Sequence, residues 1–92
     1  MAGSRLRQAV YTPMPNLPYV DDKTLLEEFH QLPKQQREVI KLSLGMGTRK
    51  HSYKEIGKMT KIHGGNQSPD QVLQIKERGL RTLRNRIKEK NR

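Results

Sequence analysis

Residues 68–90 read SPDQVLQIKERGLRTLRNRIKEK, and this stretch carries the strongest helix signals in the chain. Ser68 can cap a first turn, Pro69 suits the first helical position, and Gln71 can close a capping box. At about 100° per residue, an apolar arc lies opposite a polar and basic face. The inward arc is predicted to hold Val72, Leu73, Ile75, Gly79, Leu80, Leu83 and Ile87. The pattern predicts a long helix from Pro69 whose outer face is left for a charged ligand.

Gly79 lies on the apolar side of this predicted helix. A glycine costs about 1 kcal/mol of helix propensity relative to alanine. Its place on the packed side therefore predicts a close crossing with another helix, which a bulkier residue would push away.

Three shorter helices are predicted upstream of this stretch. The first begins after the capping residue Asp22, the second runs from Pro33 to a stop at Gly45, and the third begins after Ser52 and ends near Ile62. Apolar residues of the second helix cover an arc of about 200°, where one core-facing stripe needs about 100°. Two interpretations of that arc stay open: burial between two neighbouring helices, or an exposed groove for a partner.

Residues 1–20 hold Pro13, Pro15 and Pro18, a density of proline that disfavours helix. We expect an extended or disordered N-terminal arm over 1–20 and one helical domain over 21–92. The alternative for the arm is a peptide whose apolar residues dock on a partner.

Composition and charge restrict the classes of function. The 92 residues carry 19 Lys and Arg against 9 Asp and Glu, a net charge of +10, which favours a polyanionic partner. The absence of cysteine excludes disulfides and thiolate metal sites, and the three histidines have no carboxylate at ligand spacing. No nucleophile, base and orienting acid occur together. We therefore expect a cytoplasmic protein that is not an enzyme, with no cofactor, no metal and no membrane span.

A short capped helix, a glycine-bearing turn and a longer basic helix are typical of a helix-turn-helix. A plain helical bundle with a solvated basic face would produce the same pattern. Residues 32–45, LPKQQREVIKLSLG, resemble the start of region 4 in sigma-70 family transcription factors. Residues 52–58, SYKEIGK, resemble the first helix of that family's reading motif, and residues 74–75 and 79–84 resemble its recognition helix. The resemblance covers residues 32 to about 90 and implies an all-α, four-helix, winged-less helix-turn-helix domain.

The resemblance implies two partners, upstream promoter DNA in double-stranded form and the flap of the RNA polymerase β subunit. Carried over by position, the polymerase contacts would be Val39, Ile40, Leu44 and Ile56. The DNA contacts would be Ser52, Lys54, Asp70, Gln71, Gln74, Arg78 and Arg81. The family regions that open the duplex have no counterpart here, so the chain would work with polymerase directly or through a separate sigma-like subunit.

Pro69 and Leu73 stand where the family has two arginines, and the turn around His63 to Gln67 is about five residues longer. Each missing arginine removes about 1–3 kcal/mol of discrimination between bases. An alternative is therefore a sigma mimic, encoded by a phage or mobile element, that binds polymerase and inhibits or redirects transcription with little DNA contact. A second alternative is a general basic binder of nucleic acid, although the few aromatic residues disfavour stacking on single strands.

Overall fold

The computed structural model describes residues 2–60 and 66–90, with side chains from Arg5 onward. Five helices follow one another along the chain: α1 (Ala2–Tyr11), α2 (Asp22–His30), α3 (Lys34–Leu44), α4 (Tyr53–Met59) and α5 (Pro69–Lys90). All regular structure in these two ranges is helical, which confirms the all-α class. The described part of residues 21–92 contains the four predicted helices, α2 to α5, and the N-terminal segment adds a fifth that was not predicted.

The N-terminal segment is the largest departure from expectation. Ala2–Tyr11 forms a helix, so the prediction of an extended or disordered arm is wrong for these residues. The prolines begin only at Pro13, so none of the ten residues of α1 is a proline and helical hydrogen bonds can form there. Leu6 and Val10, one turn apart, are fully buried, and Leu17 and Val20 of the following irregular segment are also buried.

Arginine side chains fasten α1 to the rest of the molecule. Arg84 of α5 donates from Nε to the carbonyl of Val10 at 2.9 Å and from its terminal nitrogen to the carbonyl of Ala9 at 2.8 Å. These are carbonyls of the last helical turn, which have no partner within α1. Arg7 forms an ion pair with Asp22 of α2 at 2.7 Å. The segment is therefore an integral part of the fold.

The helix ends mostly follow the sequence signals. The predicted stop at Gly45 is confirmed, since this residue ends α3 in the left-handed conformation with φ 73°. The start of α5 at Pro69 is also confirmed. The cap of α2 is Asp21, not Asp22: its carboxylate accepts from the N–H of Thr24 at 2.8 Å. Pro33 precedes the first helical residue of α3 where the sequence had placed it inside the helix.

Helix α5 contacts each of the other four helices and divides the core into two clusters. The larger cluster joins the N-terminal segment, α2, Ile40 and the C-terminal half of α5. The smaller one consists of Val39, Ile56 and Val72, with half-buried side chains around them. Adjacent residues of α3 thus enter different clusters, so its wide apolar arc is buried between neighbours and is not an open groove.

Gly79 confirms the predicted helix crossing. A Cβ atom at this position would lie 2.8 Å from Cδ1 of Ile40 and 3.2 Å from Cβ of Gln36, both on α3. Leu73 departs from its predicted inward position and is 38% exposed. Among the residues described, no helix combines the length and the apolar character needed to cross a membrane.

Candidate nucleic-acid interface

Helix α4 begins with a complete capping box. The Ser52 hydroxyl accepts from the N–H of Glu55, and the Glu55 carboxylate accepts from the N–H of Ser52, both at 3.1 Å. Arg49 donates to the second carboxylate oxygen of Glu55 at 2.9 Å. The hydrogen bonds from Arg49 and from the Ser52 backbone lower the pKa of Glu55 to about 2. Ser52, a predicted DNA contact, is therefore occupied in positioning α4.

Helix α5 has a similar box at its start, as the sequence predicts. The Ser68 N–H donates to the side-chain oxygen of Gln71 at 2.8 Å, and the Gln71 N–H donates to the Ser68 hydroxyl at 3.2 Å. The side-chain oxygen of Gln71, another predicted DNA contact, is thus used within the helix. Its exposed amide nitrogen is the part that remains for a ligand.

The junction of α4 and α5 is tightly closed at Gly57. The Gln67 N–H donates to the Gly57 carbonyl at 2.9 Å, and a Cβ at Gly57 would collide with the Gln67 carbonyl oxygen. Farther along, Lys76 Nζ donates to the Tyr53 hydroxyl at 3.0 Å. These contacts and the small apolar cluster hold α5 at one position relative to α4. Most of the lengthened turn, residues 61–65, lies outside the described residues.

The outer face of α5 carries an exposed polar row. It consists of Asp70, Gln74, Arg78, Arg81 and Asn85, which follow one another at three- and four-residue steps. Within the described parts of the chain, neither Arg78 nor Arg81 forms an ion pair with a carboxylate. Asn85 was not among the predicted contacts, although its spacing of four from Arg81 places it on the same face. Lys54 is exposed on α4, so the structure leaves both helices with surface cations.

Two other arginines of α5 turn away from this face. Arg84 binds the end of α1, and Arg86 pairs through Nε with Glu28 of α2 at 2.8 Å. Glu28 also lies 3.5 Å from Lys90 and is buried, so this acidic group neutralises part of the basic helix end. The high positive charge near the C-terminus is therefore divided between structural and free cations.

The predicted polymerase contacts are mostly core residues. Val39, Ile40 and Ile56 are 0% exposed, so in this conformation they lie in the core and present no surface to a partner. Leu44 is half-buried and packs against the larger cluster. The physical reason is the position of α3 between two clusters, which uses both sides of its apolar arc internally.

The described residues contain no group of three or more His, Asp or Glu side chains placed to hold a metal ion. No protein-family model, curated protein or solved structure matches this chain. The candidate interface therefore depends on the geometry of its own residues.

Proposed function

We propose that this protein is a DNA-binding transcription regulator in which α4 and α5 act as a helix-turn-helix of the sigma region 4 kind. The observation that carries the proposal is the row of exposed amide and guanidinium groups on the outer face of α5. An α-helix fits the major groove, and Gln and Arg side chains match the hydrogen-bonding edges of adenine and guanine.

The position of each group along α5 suggests its role. Gln74 and Arg78 lie in the first turns after the capped start and are exposed, so they are the base-reading residues of the proposal. Arg81 lies about one turn farther along and contacts phosphates, as does Lys54 on α4. Leu73, where the resemblance places an arginine, is exposed and offers apolar contact of the kind that a thymine methyl group accepts. The sequence preference is therefore expected to differ from that of the sigma family.

Polymerase binding remains part of the proposal through the resemblance alone. Of the four residues assigned to it, only Leu44 retains exposed surface. A sigma mimic that binds polymerase without contacting DNA would depend entirely on an exposed polymerase-binding surface. The burial of Val39, Ile40 and Ile56 therefore favours DNA contact as the principal activity.

A binding titration tests the proposed DNA contact. Fluorescence anisotropy with a labelled duplex, selected from a random pool by the wild-type protein, would compare Arg78→Gln with the wild type. We expect a loss of about 1–3 kcal/mol for the selected duplex, which is roughly 5- to 150-fold in affinity, and a smaller loss for a scrambled duplex.

The matched control is Lys34→Gln, which removes one exposed cation from α3, outside the helix pair. This control is expected to bind nearly as the wild type does. Wild-type protein that binds no duplex DNA at moderate salt would refute the proposed function. An Arg78→Gln variant indistinguishable from Lys34→Gln would refute the reading role of α5.

A pull-down of RNA polymerase with the wild-type chain tests the second partner. We expect polymerase to be retained, and Leu44→Ala, which adds no charge, to reduce the amount retained without loss of DNA binding. Retention unchanged by this substitution would exclude Leu44 from the contact. If the wild type retains no polymerase, polymerase binding is removed from the proposed function and DNA binding is unaffected.

A further inference from the structure

A basic cavity of about 360 Å³ lies where α1, the end of α3 and α5 meet. Its lining includes three cationic side chains from distant parts of the chain and no carboxylate: Arg5, Lys50 and Lys76. Gln8 of α1 and Thr12, which follows that helix, add neutral polar groups to the same wall. This cavity could not be predicted from the sequence, because an extended or disordered arm was expected where α1 is found.

The three cations line the same cavity without a carboxylate partner among the described residues. Three other arginines of the described chain do form ion pairs: Arg7 with Asp22, Arg49 with Glu55, and Arg86 with Glu28. No described carboxylate lies within ion-pair distance of the three cavity residues. Like charges that converge without a counter-charge repel one another, and an anion bound between them would relieve that repulsion.

Two of the cations are fixed by the fold. The Arg5 guanidinium donates to the carbonyls of Leu44 and Gly45, at 3.1 and 3.2 Å, where α3 ends. Both bonds use one terminal nitrogen, which leaves the rest of the guanidinium available. Lys76 is half-buried and donates to the Tyr53 hydroxyl. Since these side chains are already ordered, little conformational entropy would be lost when they bind a ligand.

The cavity adjoins the proposed helix-turn-helix. Tyr53, which binds Lys76, is the first residue of α4, and Lys54 follows it on the exposed surface. In helix-turn-helix proteins, the phosphate backbone passes beside the first helix of the pair. Lys50 lies two residues before Ser52, the cap of α4, and so brings one edge of the cavity to the start of that helix.

We propose that this cavity receives a backbone phosphate of duplex DNA, so that α1 contributes directly to DNA binding. The inference rests on the proposed function, which supplies the DNA. The phosphate contact is independent of base sequence and adds affinity and orientation, while α5 reads the bases. The N-terminal segment thereby has a role beyond completing the core.

Two pairs of charge variants test the cavity. Lys50→Gln removes a cavity cation, and its control Lys23→Gln removes an exposed cation from α2. Gln8→Glu adds a negative charge to the cavity wall without changing shape, and its control Gln31→Glu adds one at an exposed position after α2. All four substitutions are at exposed positions, and thermal unfolding would verify that each variant is folded.

The measured quantity is the affinity for duplex DNA as a function of salt. We expect Lys50→Gln to weaken binding by a similar factor for selected and scrambled duplexes and to reduce the slope of log affinity against log salt concentration by about 1. Gln8→Glu is expected to weaken binding for the same reason, and both controls to retain the wild-type slope.

The outcomes separate this inference from the proposed function. If the wild type binds DNA and Arg78→Gln weakens it, while Lys50→Gln and Gln8→Glu behave as their controls do, the cavity is not a DNA contact and the proposed function stands. If the wild type binds no DNA, both are overturned. A third arm titrates ATP against labelled protein. Saturable binding of ATP that depends on Lys50, without a Lys50 effect on DNA, would assign the cavity to a free phosphorylated ligand and overturn the inference.

Discussion

Gly79 illustrates how one residue sets the distance between two helices. The nearest atom to a Cβ at this position is the flexible end of Ile40, which can move, whereas the Cβ of Gln36 is fixed to the α3 backbone. Gly79→Ala gains about 1 kcal/mol of helix propensity, which the close contact offsets. The free energy of unfolding is therefore expected to change little. Gly79→Leu is expected to lower the free energy of unfolding by about 1–3 kcal/mol, because its side chain has no space.

Urea denaturation measures both Gly79 variants. The control is Asn85→Leu, an exposed position on the same helix, which should change stability by no more than about 0.5 kcal/mol. Equal stability of Gly79→Leu and this control would contradict the close crossing of α5 and α3.

Glu55 links the start of α4 to pH. Hydrogen bonds from Arg49 and from the Ser52 backbone lower its pKa from the ordinary 4.5 to about 2. As the pH falls, the unfolded chain therefore binds a proton at this carboxylate before the folded chain does. The contribution of Glu55 to the stability of the folded state is complete above about pH 4.5 and is lost as the pH falls toward 2. Glu55→Gln should be less sensitive to pH in this window, because its amide does not titrate.

The difference in urea midpoint between wild type and Glu55→Gln, measured from pH 2 to 6, checks this expectation. Glu77→Gln is the control, since Glu77 is exposed on α5 and makes no ion pair with a described residue. A difference that stays constant over the whole range would show that Glu55 does not carry the linkage.

At the scale of elements, α1 completes the larger part of the core. Leu6 is fully buried there, so Leu6→Ala should lower the free energy of unfolding by about 2–5 kcal/mol. Gln8→Ala, on the exposed side of the same helix, is expected to have little effect. Chemical denaturation followed by circular dichroism compares the two variants. A Leu6→Ala variant as stable as Gln8→Ala would indicate that α1 does not pack in solution.

Helix α5 combines three tasks along its length. Its first turns join α4 at the smaller cluster, its middle crosses α3 at Gly79, and its C-terminal half meets α1 and α2. This division explains why neighbouring arginines differ in role, since Arg81 is exposed while Arg84 caps α1. Position around the helix, and not residue type, separates the proposed DNA contacts from structural cations.

At the scale of the whole molecule, the net charge of +10 is unevenly distributed. The acidic residues of α2 bind Arg7, Arg86 and Lys90, while the cations of the cavity and of the outer face of α5 are unpaired among the described residues. A duplex is therefore expected to approach the outer face of α5 and the start of α4, which the basic cavity adjoins through Lys50.

The salt dependence of duplex binding tests this arrangement. Each neutralised phosphate contributes about −0.9 to the slope of log affinity against log salt, so the three phosphates assigned to Lys54, to Arg81 and to the basic cavity predict a slope of about −3. Anisotropy titrations at salt concentrations of about 50 to 300 mM would determine this slope. A slope near zero would contradict an electrostatic interface on this side.

Local signals in the chain were sufficient for the helix class, for the cap at Ser52, for the capping box at Ser68 and for the end of α3 at Gly45. These features depend on interactions between residues no more than about four apart, and such interactions can be predicted from a single sequence. The outward position of Arg78 and Arg81 followed from helical periodicity in the same way.

Contacts between distant residues decided the rest. The residues next to Leu6 and Val10 in the sequence do not indicate that these side chains will pack against α5. Nor do they indicate that Arg84 will donate hydrogen bonds to the last carbonyls of α1. Likewise, the apolar arc on α3 would have the same sequence whether it faced a partner or two neighbouring helices. Only the packing of the folded chain shows that Val39 and Ile40 lie in the interior. Periodicity reports which side of a helix is apolar; what covers that side is a property of the assembled fold.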